Sequence, residues 1–250
     1  MKPWLGIAFS IVTSLAAPVQ SATAADDVTL VAADGVKVFG QVARASAARA
    51  PVILAFHMAG SNHAEYAPLL PRLAAAGFTV LAIDQRSGGT QFAARNKTVD
   101  TLGRSASYSA ALPDLQAALA WGKQEAKGAP VLVWGSSYSA ALVFVLAAKH
   151  PGDVAGVLSF SPGEYLGGSD LVHAAAAKVA VPVFVSQAKD RGEIDAAKSI
   201  MAAVLAKEKT QFVPTRDGVH GSSSLREDAN PRGAADYWMA VTEFLARFKS

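Results

Sequence analysis

With 250 residues, 51% of them hydrophobic and 17% charged, the chain can bury a sizeable core and falls outside the disordered class. The formal net charge is +3, and the positive residues are scattered rather than clustered, which argues against a nucleic-acid surface. The absence of cysteine excludes disulfides and a lipoprotein attachment site.

The chain opens with a short positive start, Met1-Lys2, an apolar stretch from Trp4 to Ala17 and a small-x-small site at Ala22-Thr23-Ala24. Asp26-Asp27 follow at once. This pattern predicts a secretory signal peptide over 1–25, cut after Ala24 or Ala25, with one domain over 26–250. The apolar run of about 14 residues is shorter than the roughly 20 that a membrane span needs, so no stable anchor is expected after cleavage.

Val28–Ala32 and Val36–Val42 read as two strands around Ala33-Asp34-Gly35, a strong hairpin signal. Pro51–Phe56 is a fully apolar run and reads as a central strand. A helix from Tyr66 to Ala76 and a strand from Phe78 to Ile83 follow. A polar loop is expected from Thr90 to Ser107, then a helix from Tyr108 to Ala126. Val131–Trp134 is a strand, Tyr138–Lys149 a helix and Val154–Phe160 a strand. After a turn-rich loop come a short helix from Leu171 to Lys178 and a strand from Val181 to Val185. A helix from Ile194 to Ala206, a strand Gln211–Val213, a long loop and a final helix Ala234–Phe248 complete the pattern. Strands and helices alternating after a hairpin predict an α/β fold with a mostly parallel sheet, an N-terminal antiparallel hairpin and helices on both faces. Phe144, Trp238 and Phe248 are expected in the core.

One stretch carries chemistry. Val131 to Trp134 runs straight into Gly135-Ser136-Ser137-Tyr138-Ser139 and then into an apolar helix. A strand turning into a helix with serine at the apex is a nucleophile elbow. Its tightness strains the apical residue and requires small neighbours, here Gly135 and Ser139, the latter where Gly is usual.

The whole chain after the signal resembles the α/β-hydrolase fold, whose nucleophile follows the fifth strand as Ser137 does. That resemblance implies a triad in the order Ser, acid, His. It points to Ser137, to Asp190 after the strand Val181–Val185, and to His220 after the strand Gln211–Val213. Glu193 is the alternative acid, with Asp190 then an acid at a helix start. Histidine would accept the serine proton, and the acid would orient and stabilise the imidazolium. The resemblance also implies two oxyanion N–H donors: Tyr138, next to the nucleophile, and Ala59 in Phe56-His57-Met58-Ala59-Gly60-Ser61. This segment resembles a His-Gly-x-Gly motif with Met58 in place of the first Gly; Met58 is the alternative donor. His57 is expected to orient that loop, and Asp84-x-Arg86 to be structural.

The five histidines are dispersed without a His-x-x-x-His pair, and the glycine pairs match no phosphate or dinucleotide loop. No metal or cofactor is expected. The compact chain resembles the serine esterase and dienelactone-hydrolase-like branches. The dienelactone enzymes use Cys where this chain has Ser137, which favours an esterase or thioesterase. The expected activity is a periplasmic or secreted serine hydrolase acting on a small-molecule ester through an acyl-Ser137 intermediate. The alternatives are a non-catalytic binding module on the same fold, or lyase, perhydrolase or peptidase chemistry.

Overall fold

The structure is a computed structural model that describes residues 25–249. The expected signal segment lies outside the described residues apart from Ala25.

Eight strands form one sheet: β1 (Asp26–Val31), β2 (Lys37–Ala43), β3 (Val52–Phe56), β4 (Thr79–Ile83), β5 (Val131–Ser136), β6 (Gly156–Phe160), β7 (Val183–Ser186) and β8 (Lys209–Phe212). Their order is β1-β2-β4-β3-β5-β6-β7-β8, with β1–β2 and β2–β4 antiparallel and every later pair parallel. The hairpin turn closes where expected: Gly35 takes φ +84° and its N–H donates to the Ala32 carbonyl at 2.8 Å. Strands β3, β4, β5 and β6 are buried at every residue, as their unbroken apolar runs require of strands covered on both faces.

The two-residue alternation of each strand separates two cores. Leu54 and Phe56 of β3 point with Val133 into a layer closed by α3 (Leu112–Ala126), α4 (Tyr138–Lys149), α5 (Leu171–Ala176) and α6 (Arg191–Ala203). Ile53 and Ala55 point the other way, toward α1 (Leu70–Ala75) and α7 (Ala234–Leu245). In that second layer a row of rings runs along the sheet. Trp134 stacks on Phe160 at 4.9 Å, Phe160 meets Phe184 at 5.8 Å, and Phe184 meets Phe244 at 5.6 Å. Phe144, Trp238 and Phe248 are all buried.

Several boundaries differ from the sequence reading. The helix expected from Tyr66 divides into a 3-10 turn, His63–Tyr66, and α1. Pro68 lies at the break, where it removes a helical N–H donor, while Pro71 stands in the first turn of α1, where a missing N–H is tolerated. The polar loop 90–107 holds a short helix, α2 (Lys97–Leu102). Asn96 caps it, its Oδ1 accepting from Val99 N at 2.8 Å, while Asp84 Oδ2 accepts from Lys97 N at 2.8 Å. The loop after β8 contains a 3-10 turn, Gly221–Leu225. Helix α6 begins three residues earlier than the apolar pattern indicated, because Asp190 caps it.

Gly40 marks the tightest approach in the hairpin half of the sheet. A Cβ there would lie 2.5 Å from the Ala82 carbonyl oxygen, on the backbone of the paired strand. Gly40→Ala is expected to cost about 1–3 kcal/mol and to lower Tm by several degrees, measured by thermal unfolding beside the unaltered chain. An unchanged Tm would show that the β2–β4 pair can open to admit a methyl group.

Candidate active site

Strand β5 gives way to α4 within one residue. Ser137 occupies that turn at φ 58°, ψ −121°, a backbone state that costs an L-residue of the order of 1–3 kcal/mol. Only glycine fits two residues earlier, since a Cβ on Gly135 would fall 2.1 Å from the Ser139 carbonyl oxygen. Ser137 N–H donates to the Phe160 carbonyl at 2.8 Å, which ties the turn to the end of β6. The serine at 139 has a use that glycine could not supply. Its hydroxyl donates to the His57 carbonyl at 2.7 Å and accepts from Gln85 Nε2 at 2.7 Å, linking the helix to the loop after β3.

His220 follows β8 and donates from Nδ1 to Glu193 Oε1 at 2.8 Å. The acid that reaches it is Glu193, and the expectation of Asp190 is corrected. Asp190 Oδ1 accepts from Glu193 N–H at 3.2 Å and caps α6. An aspartate at the cap uses its short side chain on its own helix, whereas a glutamate three residues on has the reach to leave it. The spacing Asp190-x-x-Glu193 is a capping-box pattern, and read that way it would have identified Asp190 as the cap. Glu193 departs from that pattern: its Oε2 accepts from Ala188 N–H at 3.0 Å instead of the cap's own N–H.

Burial alone would raise the Glu193 carboxyl, but hydrogen bonds from His220, Ser161 and the Ala188 N–H outweigh it and hold it at about 2. The bond to Glu193 raises His220 above its ordinary value, against the opposing effect of burial. Ser161, at φ 58° after β6, was not singled out in the sequence. Its hydroxyl accepts from Gly221 N–H at 2.9 Å, which ties the base loop to the end of β6, and it helps to hold the Glu193 carboxyl down.

The base loop lies against the elbow strand. Ser222 N–H donates to Ser136 Oγ at 2.9 Å, and a Cβ on Gly221 would fall 2.3 Å from that same oxygen. Ser137 is therefore one residue, and His220 two residues, from a direct hydrogen bond between their segments. Ser137 Oγ and His220 Nε2 make no hydrogen bond to one another in this structure.

In the loop after β3, Met58 N–H is engaged, donating to Glu65 Oε2 at 2.7 Å. The N–H groups of Ala59 and Tyr138 take no acceptor among the described residues; Tyr138 stands in the first turn of α4, where helical N–H groups have no internal partner. His57 is fully buried, which lowers it to about 4 and keeps it neutral. Its Nε2 accepts from Gln85 N–H at 3.0 Å, so Nδ1 carries the proton and donates to the Met58 carbonyl at 2.7 Å. His57 thus orients the loop. Asp84 bonds the His63 ring and N–H, and Arg86 bonds Asp114 and Asp34.

The sequence model of the family described as serine aminopeptidase, S33, matches residues 47–216, well over half of the chain. The chain belongs to this family of α/β-hydrolases. No curated protein matches it in sequence. Among solved structures it is similar to an esterase of Pyrococcus furiosus, with a TM-score of 0.69 and 17% identity over 91% of this chain and 94% of that one. It is similar to a dienelactone hydrolase of Anabaena variabilis, with a TM-score of 0.69 and 17% identity over 90% and 99% of the two chains. Est1E of Butyrivibrio proteoclasticus, solved with ferulic acid bound, gives a TM-score of 0.66 and 15% identity over 88% and 98%.

Elsewhere in this α/β-hydrolase a serine, a histidine and a glutamate are joined directly by hydrogen bonds. Ser199 Oγ lies 2.9 Å from His173 Nε2, and His173 Nδ1 lies 2.9 Å from Glu164 Oε1. Ser199 sits inside α6, where the helix consumes the backbone N–H groups, so nothing there can hold a developing oxyanion. The cluster straps α5 to α6. Of the two serines, Ser137 is the one at a turn beside N–H groups, those of Ala59 and Tyr138, that take no acceptor among the described residues.

A cavity of about 280 Å³ opens between residues 107–109 and 165–167. Tyr108 stacks on Tyr138, the neighbour of Ser137, at 4.5 Å and 18°, and Ser109 Oγ donates to the Leu166 carbonyl at 2.9 Å to hold the two walls together. A larger concavity of about 440 Å³ lies between β8 and α7, lined by Phe212, Glu243 and Arg247 among others. It contains no residue of the elbow or of the base loop. Among the described residues, no helix is long and apolar enough to cross a membrane, and no cluster of metal-ligating side chains forms.

If Glu193 orients His220, Glu193→Gln should lower kcat by about three to four orders of magnitude. It should also move the acidic inflection of kcat/KM to lower pH, because the anion that raises His220 is gone. In the unaltered chain that inflection should lie above 6.5, since His220 must be unprotonated to accept a proton. Asp190→Asn preserves a good cap and should leave both kcat and Tm nearly unchanged. Steady-state pH profiles of the two variants check this assignment.

Proposed function

We propose that this chain is a serine hydrolase of carboxylic or thio esters that works through an acyl-Ser137 intermediate. The observation that carries the reading is a strained serine turn on the rim where a glutamate-paired histidine also sits. Ser137 Oγ attacks the ester carbonyl carbon as its proton passes to His220 Nε2. Glu193, ionised throughout the working pH range, stabilises the imidazolium. The N–H groups of Ala59 and Tyr138 hold the oxygen that becomes negative. When the tetrahedral centre collapses, the bond to the alcohol oxygen (or thiol sulfur) breaks and His220 returns the proton to the leaving group. Water then adds to the acyl-enzyme with the same base, and the carboxylic acid departs.

Carboxylate use favours an ester over a peptide with a free amino terminus. An aminopeptidase must present an uncommitted anion to the substrate ammonium. Around Ser137 the carboxylates are already engaged: Glu65 by Met58 and Ser136, Glu193 by His220 and Ala188, Glu164 by His173 and two N–H groups, Asp190 by its helix. The cavity beside Tyr108 and Tyr165 has no charged side chain in its lining and suits a neutral, largely apolar acyl or alkoxy group. The missing Ser137–His220 hydrogen bond is the feature that leans toward a non-catalytic binding module, although such bonds are commonly long before substrate is present. The signal-like pattern before Asp26 supports export to the periplasm or beyond, which the intact mass of chain recovered outside the cytoplasm would test.

Hydrolysis of short p-nitrophenyl esters by the chain from Asp26 onward, beside Ser137→Ala, tests the reading. Ser137→Ala should lose at least about three orders of magnitude in kcat. Equal rates in both would remove Ser137 as the nucleophile, and no hydrolysis by either folded protein would turn the assignment to the binding module. Tyr108→Ala should raise KM for esters with bulky groups more than for acetate, as a chain-length series would show.

A further inference from the structure

Glu65 takes no step in the reaction above, yet it is a fully buried carboxyl group in contact with two of the segments that perform it. Its Oε2 accepts from Met58 N–H at 2.7 Å, in the oxyanion loop. Its Oε1 accepts from Ser136 Oγ at 2.6 Å, on the strand that carries the nucleophile. Ser136 Oγ in turn accepts from Ser222 N–H at 2.9 Å, in the loop that carries His220. Ser222 Oγ accepts from Trp134 Nε1 at 2.9 Å and lies 3.2 Å from the Tyr66 hydroxyl, which donates to the Phe56 carbonyl at 2.8 Å. Arg226 Nη1 holds the carbonyls of Ala64 and Glu65 at 3.0 and 2.9 Å, so the residue cannot drift. Gly221 has no side chain where Ser136 and Glu65 need the space.

We propose that Glu65 is a positioning residue, whose carboxylate fastens the oxyanion loop, the nucleophile strand and the base loop to one another. This rests on the reading of Ser137 and His220 given above. By taking Met58 N–H, the carboxylate turns that peptide away and leaves the next one, Ala59, to present its N–H. By accepting the hydrogen bond from Ser136 Oγ–H, it leaves that hydroxyl's lone pairs to accept from Ser222 N–H and so fixes the position of the base loop. The arrangement needs two acceptor oxygens. Glutamine supplies one, and its amide nitrogen would face a hydroxyl whose own proton then has no acceptor.

The charge of Glu65 also bears on His220, which it raises, while burial raises Glu65 itself to about 7. The titratable groups facing it are His220 from the base loop, Arg226 from the end of the following turn, Tyr66 beside it and Tyr138 on α4.

The test is Glu65→Gln in the chain from Asp26 onward, with Tm and near-ultraviolet circular dichroism to establish folding. Hydrolysis of p-nitrophenyl acetate should show kcat lowered by about ten- to a hundredfold with KM within about twofold, the signature of misplaced rather than missing machinery. The His220 resonance, followed by NMR against pH, should titrate at lower pH than in the unaltered chain, because a neighbouring negative charge is gone. That titration can be read in a Ser137→Ala background whether or not an ester is cleaved, so failure of the esterase reading and failure of this proposal are distinguishable. A folded Glu65→Gln with unchanged kcat and an unshifted His220 overturns the proposal. If Glu65→Gln does not fold, Ser136→Ala decides: kcat should fall while the His220 titration stays put, and an unchanged kcat overturns the proposal.

Discussion

The candidate site depends on how closely a strand can be followed by a helix. Ser139 and Ala140 lie so near Gly135 that no side chain fits between them, and the chain reverses within Ser137 alone. The strain at that residue is held by its surroundings: the Phe160 carbonyl takes the Ser137 N–H, β5 is paired on both sides, and α4 buries nearly every residue it has. Local backbone energy of the order of 1–3 kcal/mol is small beside the burial of a central strand and helix, so the turn persists.

Around that turn, the carboxyl edge of the sheet is built from polar groups that satisfy one another. Gln85 serves His57, Tyr138 and Ser139; Asn96 caps α2 and bonds the carbonyls of Ser61 and Gln85. Each of these side chains is buried, and an unpaired buried polar atom is costly, so the network has few alternative arrangements. Rigid loops follow from that accounting. The N–H groups of Ala59 and Tyr138 stand out against it because neither takes an acceptor among the described residues.

The two Ser–His–Glu clusters show why residue types and distances do not by themselves define an active site. At Ser199 both pairwise distances are 2.9 Å, yet its helix has already used the N–H groups that an oxyanion would require. At Ser137 the hydroxyl is unpartnered, but the backbone around it is strained and its N–H neighbours are free. The electrostatics agree: an acid kept ionised by three hydrogen bonds raises the histidine it touches.

The sequence by itself determined the eight strands, their hairpin start, the parallel remainder and the elbow at Ser137. These are written in local patterns: Asp34-Gly35 for the turn, unbroken apolar runs for covered strands, and Gly135 and Ser139 flanking a serine for the elbow. Helix α2 was hidden because only six residues form it and its cap, Asn96, is recognisable only with Asp84 in place. The choice of Glu193 over Asp190 is half legible in the capping-box spacing, which marks Asp190 as the cap of α6, but that Glu193 in the first turn of the helix meets His220 depends on the path of the chain after β8. Glu65 was invisible for the same reason. A glutamate in a short turn looks like solvated surface until the loop before it and a strand distant in sequence close over it, each donating to one of its oxygens, with the base loop joined through Ser136.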